Sequence, residues 1–129
     1  HKRPIIMLIN LSNHPSEKWS DLQLRAASEQ FCKVVDLPFP DISPDGDELY
    51  IEEIANDYFD KIESLSSKYG CKPTIHLMGE MNFTCNLLVK LINAGYECVA
   101  STTRRETIER ADGIRESTFR FVRFRKYMI

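Results

Sequence analysis

Four short apolar segments alternate with stretches of three- and four-residue apolar periodicity, and this alternation limits the fold more than any other feature. The apolar segments cover residues 5–9, 33–37, 73–78 and 96–100. The first is a continuous run with β-branched residues, as in a strand buried on both faces. Trp19, Leu22, Ala26 with Leu24, Ala27, Phe31 mark a first helix, begun at Ser16 or Ser20 and reaching about Cys32. Leu49, Ile51, Ile54, Tyr58, Ile62, Leu65 and Tyr69 mark the strongest helix, closed by Gly70, with Glu52, Glu53, Asp57, Asp60 and Glu63 toward solvent. Phe83, Leu87, Leu88, Leu91 and Ile92 mark a third, capped by Asn82 or Thr84 and ended by Asn93-Ala94-Gly95. A fifth strand is predicted over 118–127, after a short charged connection that turns at Asp112-Gly113. Strands alternating with helices in this way form a mainly parallel sheet covered on both faces. The expected class is α/β: a three-layer sandwich with a five-stranded sheet, parallel except for an antiparallel C-terminal edge strand, in one domain over 1–129.

The composition, 43% hydrophobic and 28% charged, excludes a disordered or fibrous chain. No apolar run approaches the roughly 20 residues that cross a bilayer, so no membrane partner is expected. Lys2 and Arg3 precede only a brief apolar stretch before Asn10, which does not make a signal peptide, and Met7 offers an alternative start. Cys32, Cys71, Cys85 and Cys98 include no Cys-x-x-Cys pair and read as reduced thiols in apolar settings, as in a cytoplasmic protein. His14 and His76 pair with none of them, so neither a metal site nor a cofactor is expected. Charge is uneven: residues 36–63 hold ten acids and one lysine, whereas 104–129 hold eight bases and four acids.

In a parallel α/β sheet, ligands sit outside the carboxyl ends of the strands, where the following segments converge. Three such segments here are polar. Asn10-Leu11-Ser12-Asn13-His14-Pro15 offers donors, acceptors and a group that titrates near neutrality, or simply caps the next helix. Gly79-Glu80-Met81-Asn82-Phe83-Thr84 pairs a close-approach glycine with a helix start suited to phosphate. Glu80 sits where a phosphate would, so it either points away or accepts hydrogen bonds from a ribose or base. Ser101-Thr102-Thr103-Arg104-Arg105 sets two arginines beside three hydroxyls, a phosphate clamp or a loop paired with Glu106 or Glu109.

Other chemistry-bearing residues have plainer explanations. His76, inside an apolar strand, reads as a packed, hydrogen-bonded core residue. Trp19 reads as helix packing before it reads as a stacking platform. The run from Phe119 to Tyr127 interleaves aromatic and basic residues. An edge strand or a dimer seam accounts for that pattern at least as well as a nucleic-acid surface, and direct DNA binding is not expected.

Together, the segment 10–15, Met78-Gly79-Glu80, Ser101-Thr102-Thr103-Arg104 and the closing Phe119-Arg120-Phe121-Val122-Arg123-Phe124-Arg125 resemble a set of small CRISPR-associated proteins. The layout is similar to the CRISPR-associated Rossmann-fold (CARF) domain. That resemblance implies a Rossmann-like homodimer that binds cyclic oligoadenylates in the loops after its first and fourth strands. Stand-alone members of the group are ring nucleases, which cleave the messenger to end an antiviral response. Glu80 and Met81 depart from the Gly-, Ser- and Thr-rich pattern usual there.

The resemblance implies metal-independent cleavage, with the ribose 2′-hydroxyl as nucleophile. His14 would move a proton, Ser12 would fix the ribose, and Arg104 or Arg105 would stabilise phosphoryl charge. Asn10, Asn13, Gly79, Glu80, Met81, Asn82, Thr84, Ser101, Thr102 and Thr103 would contact the ligand. The alternatives are a sensor or sponge that binds without cleaving, an interaction module, or an unrelated small α/β enzyme acting on a nucleotide.

Overall fold

The computed structural model describes residues 6–129, so Ile5, the expected start of the first strand, lies outside the described residues. The element order is β1 (Met7–Ser12), a 3-10 turn (Ser16–Lys18), α1 (Asp21–Gln30), β2 (Lys33–Asp36), α2 (Glu48–Tyr69), β3 (Thr74–Met78), α3 (Met81–Asn93), β4 (Cys98–Glu109) and β5 (Arg115–Lys126). The five strands form one sheet in the order β2-β1-β3-β4-β5, parallel except for the antiparallel β4–β5 pair. This is the α/β class expected from the alternation of patterns. No helix among the described residues is long and apolar enough to cross a membrane.

Side-chain alternation along the strands divides the interior into two layers. Met7, Ile9 and Leu11 of β1, with Ile75 and Leu77 of β3, pack against Ala55 and Ile62 of α2 and Phe83, Leu87 and Leu91 of α3. The intervening Leu8, with Val99, Phe121 and Phe124, packs against Trp19 and Ala27 on the α1 side. Phe121 and Phe124 share that side because the register shifts once: Thr102 pairs with Arg123 and Thr103 with Phe121, leaving Val122 as a bulge.

Several boundaries differ from expectation because pairing between strands, not local composition, sets them. The predicted loop 10–15 begins as strand: Asn10, Leu11 and Ser12 belong to β1, held by β2 and β3 on either side. The predicted loop 101–105 is also strand. β4 continues from Cys98 to Glu109, since β5 supplies hydrogen-bond partners along its length, and β5 starts at Arg115 rather than 118. The outer halves of these strands form a hairpin arm that turns where Gly113 adopts φ 82°.

Among the helices, Ser20 caps α1, accepting from the Gln23 amide, and Trp19 precedes the helix. Glu80, rather than Asn82 or Thr84, caps α3. Leu49 is 72% exposed despite its place in the α2 pattern. Glu52 bridges to Asn86 and Lys90 of α3 instead of facing only solvent. Cys98 is buried and Cys71 half-buried, but Cys32 and Cys85 are exposed, contrary to the expectation of apolar settings. Burial, with Glu97 adding to it, pushes the Cys98 thiol up to about 12.

Candidate ligand cleft at the strand ends

On the α1 side of the sheet, β1 and β2 and β1 and β3 are paired so that Asp36, Asn10 and His76 lie side by side across three neighbouring strands. Hydrogen bonds join them. Asn10 Nδ2 donates to Asp36 Oδ1 at 2.8 Å, and Asn10 Oδ1 lies 2.8 Å from His76 Nδ1. Asp36 also accepts from the Ser16 hydroxyl at 2.6 Å and the Ser16 amide at 3.1 Å. Burial works to raise the Asp36 pKa, but the hydrogen bonds from Ser16 and Asn10 outweigh it and hold the carboxyl below its ordinary value.

The same network shapes the segment after β1. The His14 carbonyl accepts from Asn10 Nδ2 (2.9 Å) and from Trp19 Nε1 (3.0 Å). The Ser12 hydroxyl donates to Asn10 Oδ1 at 2.9 Å and accepts from the His14 amide at 3.2 Å. Backbone and indole thus pin the loop, while the His14 side chain stays exposed. The local sequence achieves this with short polar side chains that reach their own backbone.

These residues border a cleft of about 510 Å³. Ser12, Asn13 and His14 form one wall, with Lys18, Trp19, Ser20 and Gln23 from the 3-10 turn and α1. Met78 and Gly79 lie at the end of β3 beside His76, and Ser101, Thr103, Phe119 and Phe121 complete the opposite wall. The volume falls in the usual range for a small-molecule pocket, and its place at the carboxyl ends of parallel strands is where this architecture binds ligands.

The structure brings together some of the sequence-predicted residues and separates others. Ser12, Asn13, His14, Gly79, Ser101 and Thr103 share the cleft. Asn10 lies beneath it, buried in the network. Thr102 points to the other face of β4, where its hydroxyl bonds the Arg123 carbonyl. Arg104 and Arg105 lie on the arm outside the cleft, with Arg105 bonded to the Ser117 hydroxyl at 3.1 Å. The strand that carries them continues beyond the cleft into the hairpin arm.

The glycine segment also serves its own fold. Glu80 turns back to accept from the Phe83 amide at 2.7 Å and from Asn82 Nδ2 at 3.3 Å. Glu80 and Asn82 border a separate recess with Asp47 and Glu48 at the start of α2. Met81 is 82% exposed, and Thr84 is half-buried within α3. Gly79 is required by Phe39, since a Cβ there would stand 2.1 Å from the Phe39 ring.

The cleft also takes in Lys18, Gln23, Phe119 and Phe121, which the sequence does not single out as ligand contacts. It includes His76, which the sequence marks as a core residue, and Trp19, for which packing is the first reading and stacking the second. A readable signal existed for His76. It is a polar residue at the centre of an apolar strand, and Asn10 is another in the strand beside it. Burial first, then the nearby His14 charge, lowers the His76 pKa to about 4, so the ring is neutral at neutral pH.

The fold is that of an α/β protein with a cleft at the carboxyl ends of a mainly parallel sheet. Within that class, the sequence profile of the uncharacterized protein MJ1673 family matches residues 6–125, and the chain belongs to that family. No curated protein and no solved structure matches the chain.

Proposed function

We propose that the cleft binds a cyclic oligoadenylate and opens it by metal-independent transesterification. The observation that supports this most directly is the gradient within the cleft. His14, Lys18 and Ser20 are exposed at its mouth, whereas Trp19, His76 and Phe121 are buried within it. A nucleotide has the same polarity, with a flat base at one end and a phosphodiester at the other. The similarity to CARF-type proteins points to the same ligand and to a CRISPR-associated, cytoplasmic role.

In the proposed reaction the ribose 2′-oxygen forms a bond to the adjacent phosphorus as the P–O5′ bond breaks. The 2′-hydroxyl proton passes to the His14 imidazole, the departing 5′-oxygen takes up a proton from water, and His14 returns its proton to solvent. The products are a 2′,3′-cyclic phosphate and a 5′-hydroxyl, with no change of oxidation state. Lys18 takes the place of Arg104 and Arg105 as the cation beside the phosphoryl oxygens. Ser12 holds the His14 loop through its existing bonds rather than gripping the ribose. A two-fold homodimer would present two such clefts to a two-fold ring.

Binding without cleavage is a second reading, favoured by the position of both arginines outside the cleft. Incubating the protein with cyclic tetra- and hexa-adenylate in EDTA, followed by chromatography, separates the two. Linear products that disappear in His14→Ala support cleavage. Bound but intact rings support the sensor reading, and absence of binding overturns both.

A further inference from the structure

His76 is 2% exposed, yet its Nε2 has no hydrogen-bond partner among the described residues. The chain of bonds leading to it fixes where its proton lies. The Asp36 carboxylate only accepts, so the Asn10 amide must turn its NH₂ group toward it. The Asn10 oxygen then faces His76 Nδ1 at 2.8 Å and requires a proton there. On a neutral imidazole this leaves Nε2 as a bare lone pair. The other tautomer would set an unprotonated Nδ1 against the Asn10 oxygen, which Asp36 prevents from turning away.

A buried acceptor without a donor costs a folded protein about 1–3 kcal/mol, so native structures rarely keep one without reason. His76 borders the cleft, and its surroundings indicate which part of a ligand meets it. The Trp19 and Phe124 rings stand nearly perpendicular to the imidazole, at centroid distances of 5.4 and 5.5 Å. Phe121 packs against Phe124 at 5.1 Å and also borders the cleft. This aromatic floor suits a base, whereas the exposed His14 and Lys18 at the mouth suit a phosphate.

We propose that His76 Nε2 reads the base of the bound nucleotide by accepting a hydrogen bond from the exocyclic amine of adenine. This rests on the nucleotide reading of the cleft. The amine of adenine donates, but the carbonyl at the same position of hypoxanthine presents only lone pairs and repels Nε2. Because the Asp36–Asn10 pair locks the tautomer, His76 cannot adapt by moving its proton. The recognition is therefore one-sided, and a ring carrying the carbonyl is bound at least roughly tenfold more weakly.

The test uses two probes, cyclic tetra-adenylate and cyclic tetra-inosinate. Binding is measured by calorimetry, and the imidazole nitrogens are followed by long-range ¹H–¹⁵N NMR. The expected result has three parts: preference for the adenylate ring, an upfield shift of the His76 Nε2 resonance with that ring, and loss of the preference in His76→Phe. If both rings bind equally, or if cleft amides respond while Nε2 does not move, His76 does not read the base and the nucleotide reading stands. If neither ring perturbs any cleft resonance, the nucleotide reading fails and this inference fails with it.

Discussion

The two faces of the sheet are built from the same strands and do different work. Toward α2 and α3 the strands present Met7, Ile9, Leu11, Ile75 and Leu77, and two helices of 22 and 13 residues seal them. Toward α1 they present Asn10, Ser12 and His76 among apolar residues, under a 10-residue helix whose sole fully buried residue is Ala27. One face supplies stability through close packing. The other leaves room beside a short helix, and polar groups occupy part of that space. A single alternating strand thus carries core residues at odd positions and the candidate site at even ones.

The largest effect should come from the sealed face. Leu77→Ala removes a side chain with 0% exposure, and such cavities cost about 2–5 kcal/mol. Urea unfolding should show a loss in the upper part of that range, with ligand affinity of the folded fraction unchanged. A loss below about 1 kcal/mol would mean that this face is loosely packed and the contrast between the faces is unfounded.

Acid should act on the other face. The His76 pKa is lowered from 6.5 to about 4 in the folded protein, so the unfolded chain binds the proton more readily. The contribution of His76 is therefore full above about pH 6.5, falls as the pH drops through this window, and is gone below about 4, a total of about 3 kcal/mol. Asp36, held below its ordinary value, loses stability in the same direction at lower pH. Urea midpoints between pH 8 and 4 measure this. A flat profile across 6.5 to 4 would show that His76 accepts a proton without disturbing the network.

A somewhat smaller loss is expected for Asn10→Ala, which strips partners from Asp36, Ser12 and His76 at once. Unpaired buried polar groups place it at about 1–3 kcal/mol. This variant should also free the His14 loop, since Asn10 Nδ2 holds the His14 carbonyl, and ring binding should weaken more than stability does. If affinity survives while stability falls, the network supports the fold and not the cleft.

Periodicity and punctuation made the architecture legible. Strand–helix alternation determined the layers, and Gly70 and Ser20 ended and began helices where local chemistry requires it. The site was less legible because a sequence does not show strand pairing. Ser101 to Arg105 looked like a loop only because their hydrogen-bond partners are contributed by β5, some twenty residues later. The bulge at Val122, which aims Phe121 and Phe124 the same way, is equally non-local. Glu80 could be recognised as an intruder in a phosphate loop, but its bond to the Phe83 amide needed coordinates. His76 and Asn10 were visible one at a time, and only the register sets them side by side.

Glu80→Ala tests whether the glycine segment belongs to the fold or to the ligand. Loss of this cap should cost about 1 kcal/mol and leave ring binding unchanged, because Glu80 borders the recess by α2 and not the cleft. A tenfold change in affinity would return that segment to the site.

The smallest change in stability is expected for His76→Phe at pH 8, and it divides the two faces most sharply. The ring lies against Trp19 and Phe124, so a phenyl group finds aromatic neighbours. The Asn10 oxygen loses the Nδ1 proton but keeps the Ser12 hydroxyl, and an unsatisfied Nε2 disappears. Gain and loss should balance to within about 1 kcal/mol. The same substitution should remove the His76 part of the stability loss between pH 6.5 and 4. A core residue whose removal leaves stability nearly unchanged at neutral pH, but abolishes the preference for adenine, is placed there for the ligand. A loss above about 3 kcal/mol, comparable with Leu77→Ala, would make His76 a packing residue and the two faces alike.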